Sequence, residues 1–248
     1  INVGVPGTQS GIGLTFGREN LRYLEATAHL PHLEKAHLFA ISPGGNTYFP
    51  GNPYLNPTHK NQTYAITPVD SIITPFFVNW DAQGKDKRNS PYISHVEYME
   101  ALYARLARGQ QKVTVVGNGG LYAIMEVTET CKRGFDFFLI EDSGRLAQVT
   151  SAILKDSYQD FSTAESCYRA VVQALDYLPQ DVREEFIKKD FGKMPNPENE
   201  DVLIYREYFY KMLRTLREQK NTSRVKPILL ADLEDGLEEY FNRSPYDI

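Results

Sequence analysis

Apolar residues along this chain alternate between short continuous runs and helically spaced stripes. Runs at Ile1–Val5, His37–Ile41, Ser71–Val78, Lys112–Val116 and Phe135–Ile140 are rich in β-branched and aromatic residues and predict strands. Between them, Val96, Met99, Leu102, Tyr103 and Leu106 recur at helical spacing within Ser94–Arg108. Leu121, Ile124, Met125 and Val127 do the same after Gly120, and a further helical stretch runs from about Ile12 to Ala28. Strands alternating with helices predict an α/β domain built on a mainly parallel sheet.

After about Asp156 the pattern changes. Ser162–Leu178, Gln180–Asp190 and Asn199–Gln219 read as helices, the last with a broad apolar face from Leu203, Tyr205, Tyr208, Phe209, Met212, Leu213 and Leu216. Met194-Pro195-Asn196-Pro197 breaks the helical run, and an acidic helix is expected around Asp232–Phe241. The expected organisation is an α/β domain over 1–156 and a helical appendage over 157–248, with the boundary near 156 to 161. Between Ser42 and Pro68 the sequence is dominated by Pro, Gly, Asn, Thr and Tyr and predicts a long loop, which either serves a ligand site or covers a sheet edge.

Bulk composition narrows the function classes. The 248 residues are 42% hydrophobic and 12% aromatic, enough for a packed core. A formal net charge of -5 disfavours wholesale nucleic-acid binding. Only Cys131 and Cys167 are present, which fits a reducing cytoplasm, and no apolar run approaches the roughly 20 residues of a membrane span. The five histidines show no metal-binding spacing, so no metal or resident cofactor is expected. The chain starts on Ile rather than Met inside an apparent strand, and residues upstream of it are expected.

The candidate chemistry lies in two glycine-rich turns. Val115-Val116-Gly117-Asn118-Gly119-Gly120-Leu121 carries a buried strand into a helix N-terminus, where the glycines either serve only the tight turn or let backbone N–H groups meet an anion. Gly7, Thr8, Gln9, Ser10 and Gly11 form a similar turn after the first strand; Thr8 or Ser10 would cap the next helix or meet a phosphate oxygen. A third turn, Ser143-Gly144-Arg145, comes after the strand ending at Ile140. The Arg145 guanidinium suits a phosphate through paired hydrogen bonds, or an ion pair with Glu141 or Asp142.

Taken in order, Pro6 to Gly11, Tyr48 to Gly51, Asn56 to Asn61, Gly117 to Gly120 and Ser143 to Arg145 resemble the SLOG superfamily, named after the SMF/DprA and LOG proteins. Within it they are most similar to the TRPM-like branch, LSDAT. The resemblance covers residues 1 to 156. It implies a Rossmann-like sheet and a pocket for a nucleotide-derived ligand related to NAD or ADP-ribose. It also implies second-messenger sensing, coupled to an effector or to homo-oligomerisation in a bacterial antiviral defence system.

On that resemblance the ligand-binding residues are Gly7, Thr8, Gln9, Ser10, Gly11, His59, Asn118, Gly119, Gly120, Leu121, Glu126, Ser143, Gly144 and Arg145. Lys60 in the long loop is expected near the pocket, with Tyr48, Tyr54 or Tyr122 to stack on a base. The LOG branch hydrolyses the N-glycosidic bond of nucleoside monophosphates with a glutamate, and Glu126 occupies the matching position. Asn118, Tyr122 and Ala123 replace that motif's Pro, Gly and Thr. Glu126 is thus read as a ribose ligand, or as the catalytic carboxylate if the chain is a phosphoribohydrolase. Single-stranded DNA binding, as in the DprA branch, conflicts with the acidic balance.

Overall fold

The computed structural model describes residues 2–6, 19, 22–30, 37–43, 47–48, 64–65, 73–78, 91–108, 110–155, 160–192, 200–218 and 225–242. The chain divides into two compact units, Ile1–Met99 and Glu100–Ile248. The fold is α/β and Rossmann-like: parallel strands alternate with helices, and further helices are added toward the C-terminus.

In the first unit, β1 (Asn2–Pro6), β2 (His37–Pro43) and β5 (Ile73–Val78) make a parallel sheet in the order β1-β2-β5. Gly4 stands opposite Phe39, and Phe39 opposite Thr74. The stretch expected as a structureless loop contains β3 (Thr47–Tyr48) and β4 (Tyr64–Ala65), which pair in parallel. Two-residue strands leave no periodicity in a sequence, so this pairing had no signal to read.

Helix α1 (Pro91–Leu106) crosses the division between units. The second unit then runs β6 (Val113–Val116), α2 (Leu121–Lys132), β7 (Asp136–Ile140) and α3 (Arg145–Leu154). Its sheet has the order β6-β7-β8, all parallel, with β8 (Val225–Ile228) contributed from the far end of the chain. Strand β7 is the middle strand, and Phe137, Phe138, Leu139 and Ile140 are all buried, as expected for a strand covered on both faces. Strand β8 lies in the segment whose strand signal had faded. Its sequence, Val225-Lys226-Pro227-Ile228, fits an edge position, because proline has no N–H to donate and is tolerated where that side of the strand is unpaired.

The later helices are α4 (Ala164–Asp176), α5 (Gln180–Phe186), α6 (Glu200–Glu218) and α7 (Leu233–Asn242). Thr163 and Ser166 form a capping box on α4: the Thr163 hydroxyl accepts from the Ser166 N–H at 3.0 Å, and the Ser166 hydroxyl accepts from the Thr163 N–H at 3.1 Å. Helix α6 packs on α2, α3 packs on α4, and one hydrophobic core runs from Val116 in β6 to Val225 in β8. The boundary expected near 156 to 161 falls inside this second unit, so the helices beyond it share a core with β6 and β7.

One local irregularity interrupts these helices. Helix α5 continues into a π-helical turn at Ile187–Phe191, closed by the Gly192 N–H donating to the Ile187 carbonyl at 2.7 Å. Gly192 has φ +71°, which ends the helix. Phe186 and Phe191 are fully buried with ring centroids 5.5 Å apart, and Arg206 of α6 donates from Nε to the Phe191 carbonyl at 2.8 Å. Two aromatic anchors and a helix-to-helix hydrogen bond tie the wide turn to the core and to α6.

Candidate functional site

Because β6 and β7 are adjacent and parallel, their carboxyl ends place two strand-to-helix turns side by side. The first is Gly117-Asn118-Gly119-Gly120 and the second is Glu141-Asp142-Ser143-Gly144. Both of the helices they lead into have glycine at the N-cap, Gly120 for α2 and Gly144 for α3, so neither cap supplies a side-chain oxygen to its first turn. Two positive helix ends therefore open toward the same edge of the sheet.

The turns are tied to each other. The Asn118 N–H donates to the Ser143 hydroxyl at 2.7 Å, and that hydroxyl donates to the Ile140 carbonyl at 2.7 Å. The Asn118 side-chain amide donates to the Ser143 carbonyl at 3.1 Å, while the Asn118 carbonyl accepts from the Ala147 N–H in the first turn of α3 at 2.9 Å. Asn118 has φ +54° and Arg145 φ +43°, left-handed conformations that a side chain adopts at a cost of about 1–3 kcal/mol each. Such a cost persists only where surrounding bonds over-determine the conformation, and here the Asn118–Ser143 network does so.

Gly119 also has a left-handed φ, +88°, and a Cβ there would lie 2.8 Å from the Ala123 Cβ. We expect Gly119→Ala to destabilise the protein by about 1–3 kcal/mol in urea denaturation. Gly120→Ala is the contrasting case. Its φ is negative, -133°, and its Cβ would press on the Arg145 guanidinium, with Nη2 at 2.9 Å, so its cost would come through the Arg145–Asp190 pair rather than through the backbone. No loss from Gly119→Ala would show that backbone conformation is not what selects glycine at position 119.

Arg145 is the cation of this edge, and it is already engaged. Neither Glu141 nor Asp142 holds it. Its Nε donates to Asp190 Oδ2 at 2.7 Å and its Nη2 bonds Asp190 Oδ1, giving a two-pronged pair with a carboxylate from the π-helical turn. Nη1 reaches the Asn118 side-chain oxygen at 3.4 Å, which joins the guanidinium to the first turn. Asp190 is 4% exposed; burial pushes its carboxyl up from its ordinary range, against the attraction of Arg145. Tyr205 of α6 is buried, its hydroxyl finds no hydrogen-bond partner among the described residues, and Asp190 and Arg145 both act on it electrostatically.

Glu126 lies elsewhere on α2. Although the residue retains some exposure, its carboxyl end is enclosed, and burial followed by the nearby Glu100 raises its pKa from 4.5 to about 8. Glu100 of α1 is itself buried, accepting from Lys112 Nζ at 2.7 Å and from the Thr130 hydroxyl at 3.0 Å. Burial, then Glu126 and Glu100, also hold the Tyr103 phenol well above its usual range. Glu126 is therefore a largely protonated carboxyl at neutral pH, capable of donating a hydrogen bond to a ligand or to its neighbours.

Of the residues expected at a ligand site, Asn118, Gly119, Gly120, Leu121, Ser143, Gly144 and Arg145 come together at this sheet edge. Leu121 opens α2 and packs against the core. Tyr122, beside it, is 49% exposed. Gly7, Thr8, Gln9, Ser10, Gly11, His59, Lys60 and Tyr54 lie outside the described residues. Sequence reasoning missed Asp190, Tyr205 and Glu100. Glu100 had a signal, since it falls on the same helical stripe as Val96, Met99 and Tyr103. Among the described residues, no group of three or more His, Cys, Asp or Glu is placed to hold a metal ion, and no helix is long and apolar enough to cross a membrane. The chain matches no family model and no curated protein.

Proposed function

We propose that the paired turns at the carboxyl ends of β6 and β7 bind the phosphate groups of a nucleotide-derived ligand related to NAD or ADP-ribose. The observation that carries this reading is the convergence of two glycine-capped helix N-termini, cross-linked by Asn118 and Ser143, on the Arg145 guanidinium. Backbone N–H groups and helix dipoles favour an anion, and a guanidinium fixes its orientation. The exposed Tyr122, one residue into α2, adds an aromatic surface beside the turn for a base. In this reading the protein is a sensor working in the cytoplasm: it returns its ligand unchanged and passes occupancy to an effector or to self-association.

Glu126 supports a second reading, N-glycosidic hydrolysis of a nucleoside monophosphate. A carboxyl with its pKa near 8 beside a second carboxyl, Glu100, is the kind of pair in which one group can act as an acid at neutral pH. The sensor reading ranks first because Glu126 interacts electrostatically with Glu100 and Tyr103 and makes none of the hydrogen bonds that tie the turns together.

Thermal shift against NAD, ADP-ribose, cyclic ADP-ribose, AMP and cyclic dinucleotides separates the readings. We expect ADP-ribose or a relative at 100 times its Kd to stabilise the protein by about 2.7 kcal/mol and to be recovered intact by chromatography. Recovery as free base plus ribose phosphate would favour the hydrolase, and no stabilisation by any of them would remove the nucleotide reading.

A further inference from the structure

The Arg145–Asp190 pair has the geometry that a guanidinium offers to phosphate. A carboxylate that accepts from Nε and Nη2 together occupies the same edge that two phosphate oxygens would take. The Asp190 carboxylate comes from the π-helical turn Ile187–Phe191, a wide turn of the kind often found where a helix changes shape at a functional site. Burial works against the charge on Asp190, so its hold on Arg145 is a balance between desolvation and pairing.

Tyr205 supplies the independent observation. A buried hydroxyl without a partner costs about 1–3 kcal/mol, and each one in a native structure calls for an explanation. Tyr205 is 4% exposed, its hydroxyl has no partner among the described residues, and it lies within electrostatic reach of both members of the pair. A carboxylate released from Arg145 would find in that hydroxyl a ready donor. The ring is held by Phe186 and Phe209, with centroids 6.1 and 6.0 Å away, so the exchange requires the Asp190 carboxylate to turn rather than the ring.

We propose that Asp190 is a built-in competitor for the anion site: a phosphate-bearing ligand at the glycine turns takes over the Arg145 guanidinium, Asp190 turns to the Tyr205 hydroxyl, and the π-helical turn Ile187–Phe191 rearranges. This rests on the phosphate-binding reading of the same turns and adds its regulation. Site occupancy is thereby transmitted to α5 and α6, because the turn continues α5 and is bonded through the Phe191 carbonyl to Arg206 of α6.

The test compares the unaltered chain with Asp190→Asn by calorimetric titration of ADP-ribose and of inorganic pyrophosphate. The neutral amide introduced by Asp190→Asn would leave the guanidinium less firmly held, so both probes should bind about tenfold more tightly, as expected when a competent state no longer has to be released from a competing contact. Unchanged or weaker binding by Asp190→Asn, with the unaltered chain binding normally, overturns the competitor role and leaves the binding reading standing. Binding only by Asp190→Asn supports both. Binding by neither protein overturns both. Should Asp190→Asn fail to fold, hydrogen exchange on the unaltered chain decides the matter. Saturating ADP-ribose should speed exchange at 187–191, whereas unchanged protection with ligand bound overturns the proposal.

Discussion

Arg145→Ala is expected to destabilise the protein by about 2–4 kcal/mol as well as abolish binding of a phosphorylated ligand. Breaking an ion pair from one side leaves the other charge desolvated, at a cost of about 3–5 kcal/mol where both partners are buried. Asp190 is deeply buried, while the Arg145 side chain is 23% exposed, so the cost is set somewhat below that of a fully buried pair. Had Arg145 been a surface residue, as its place in a turn suggests, the substitution would leave folding intact. Urea denaturation of Arg145→Ala, Asp190→Asn and the double variant forms a cycle that isolates the pair. The double variant should recover much of the loss, since it has no buried charge left to strand. Equal losses for Arg145→Ala and the double variant would show that Arg145 stabilises through its aliphatic stem or through Asn118 instead.

The second large effect concerns Glu126. Folded, its pKa is about 8 against an ordinary 4.5, so between those values the folded state binds one proton more than the unfolded state. Its contribution to stability is fully present below about pH 4.5 and is lost as pH rises through 8, at about 1.4 kcal/mol per pH unit. Glu126→Gln is neutral throughout and escapes that loss. We expect the variant to match the unaltered protein near pH 4.5 and to exceed it by up to about 3 kcal/mol at pH 7. The titratable groups that interact with this carboxyl are Glu100 and Tyr103, with Lys112 held on Glu100, so the gain should shrink if Glu100 is also replaced. A pH-independent difference between Glu126→Gln and the unaltered chain would mean that the carboxyl is solvated when folded. The same variant tests chemistry, because a hydrolase would lose turnover and a sensor would still return its ligand intact.

Much of the fold could be read from local pattern. Strands such as β7 announce themselves through unbroken apolar residues, and α2 and α6 through stripes of 3.6-residue period. The turns after β6 and β7 were legible because glycine marks a backbone that must adopt positive φ or yield space, as at Gly119 and Gly144. What escaped is whatever depends on distant residues meeting. Asp190 stands 45 positions beyond Arg145, and nothing in Lys188-Lys189-Asp190-Phe191 says which cation it will find. Helix α6 shares its core with α2 through tertiary packing alone, so a division based on composition placed those helices apart. Strand β8 does not stand out because Lys226 and Pro227 interrupt its apolar residues, so its place in the sheet shows only in its pairing with β7.

Strand β8 also sets a timetable for the molecule's birth. The Asp136–Ile140 segment must wait for a partner made about 85 residues later, roughly 4–17 s at ordinary rates of translation. Throughout that interval the nascent chain carries Phe137, Phe138, Leu139 and Ile140 with one strand edge unpaired, the arrangement most prone to join a neighbouring polypeptide. Synthesis of this unit is therefore a stage at which a holding chaperone has something definite to protect, and slowing the ribosome between these two segments should lower the soluble yield without altering the finished protein.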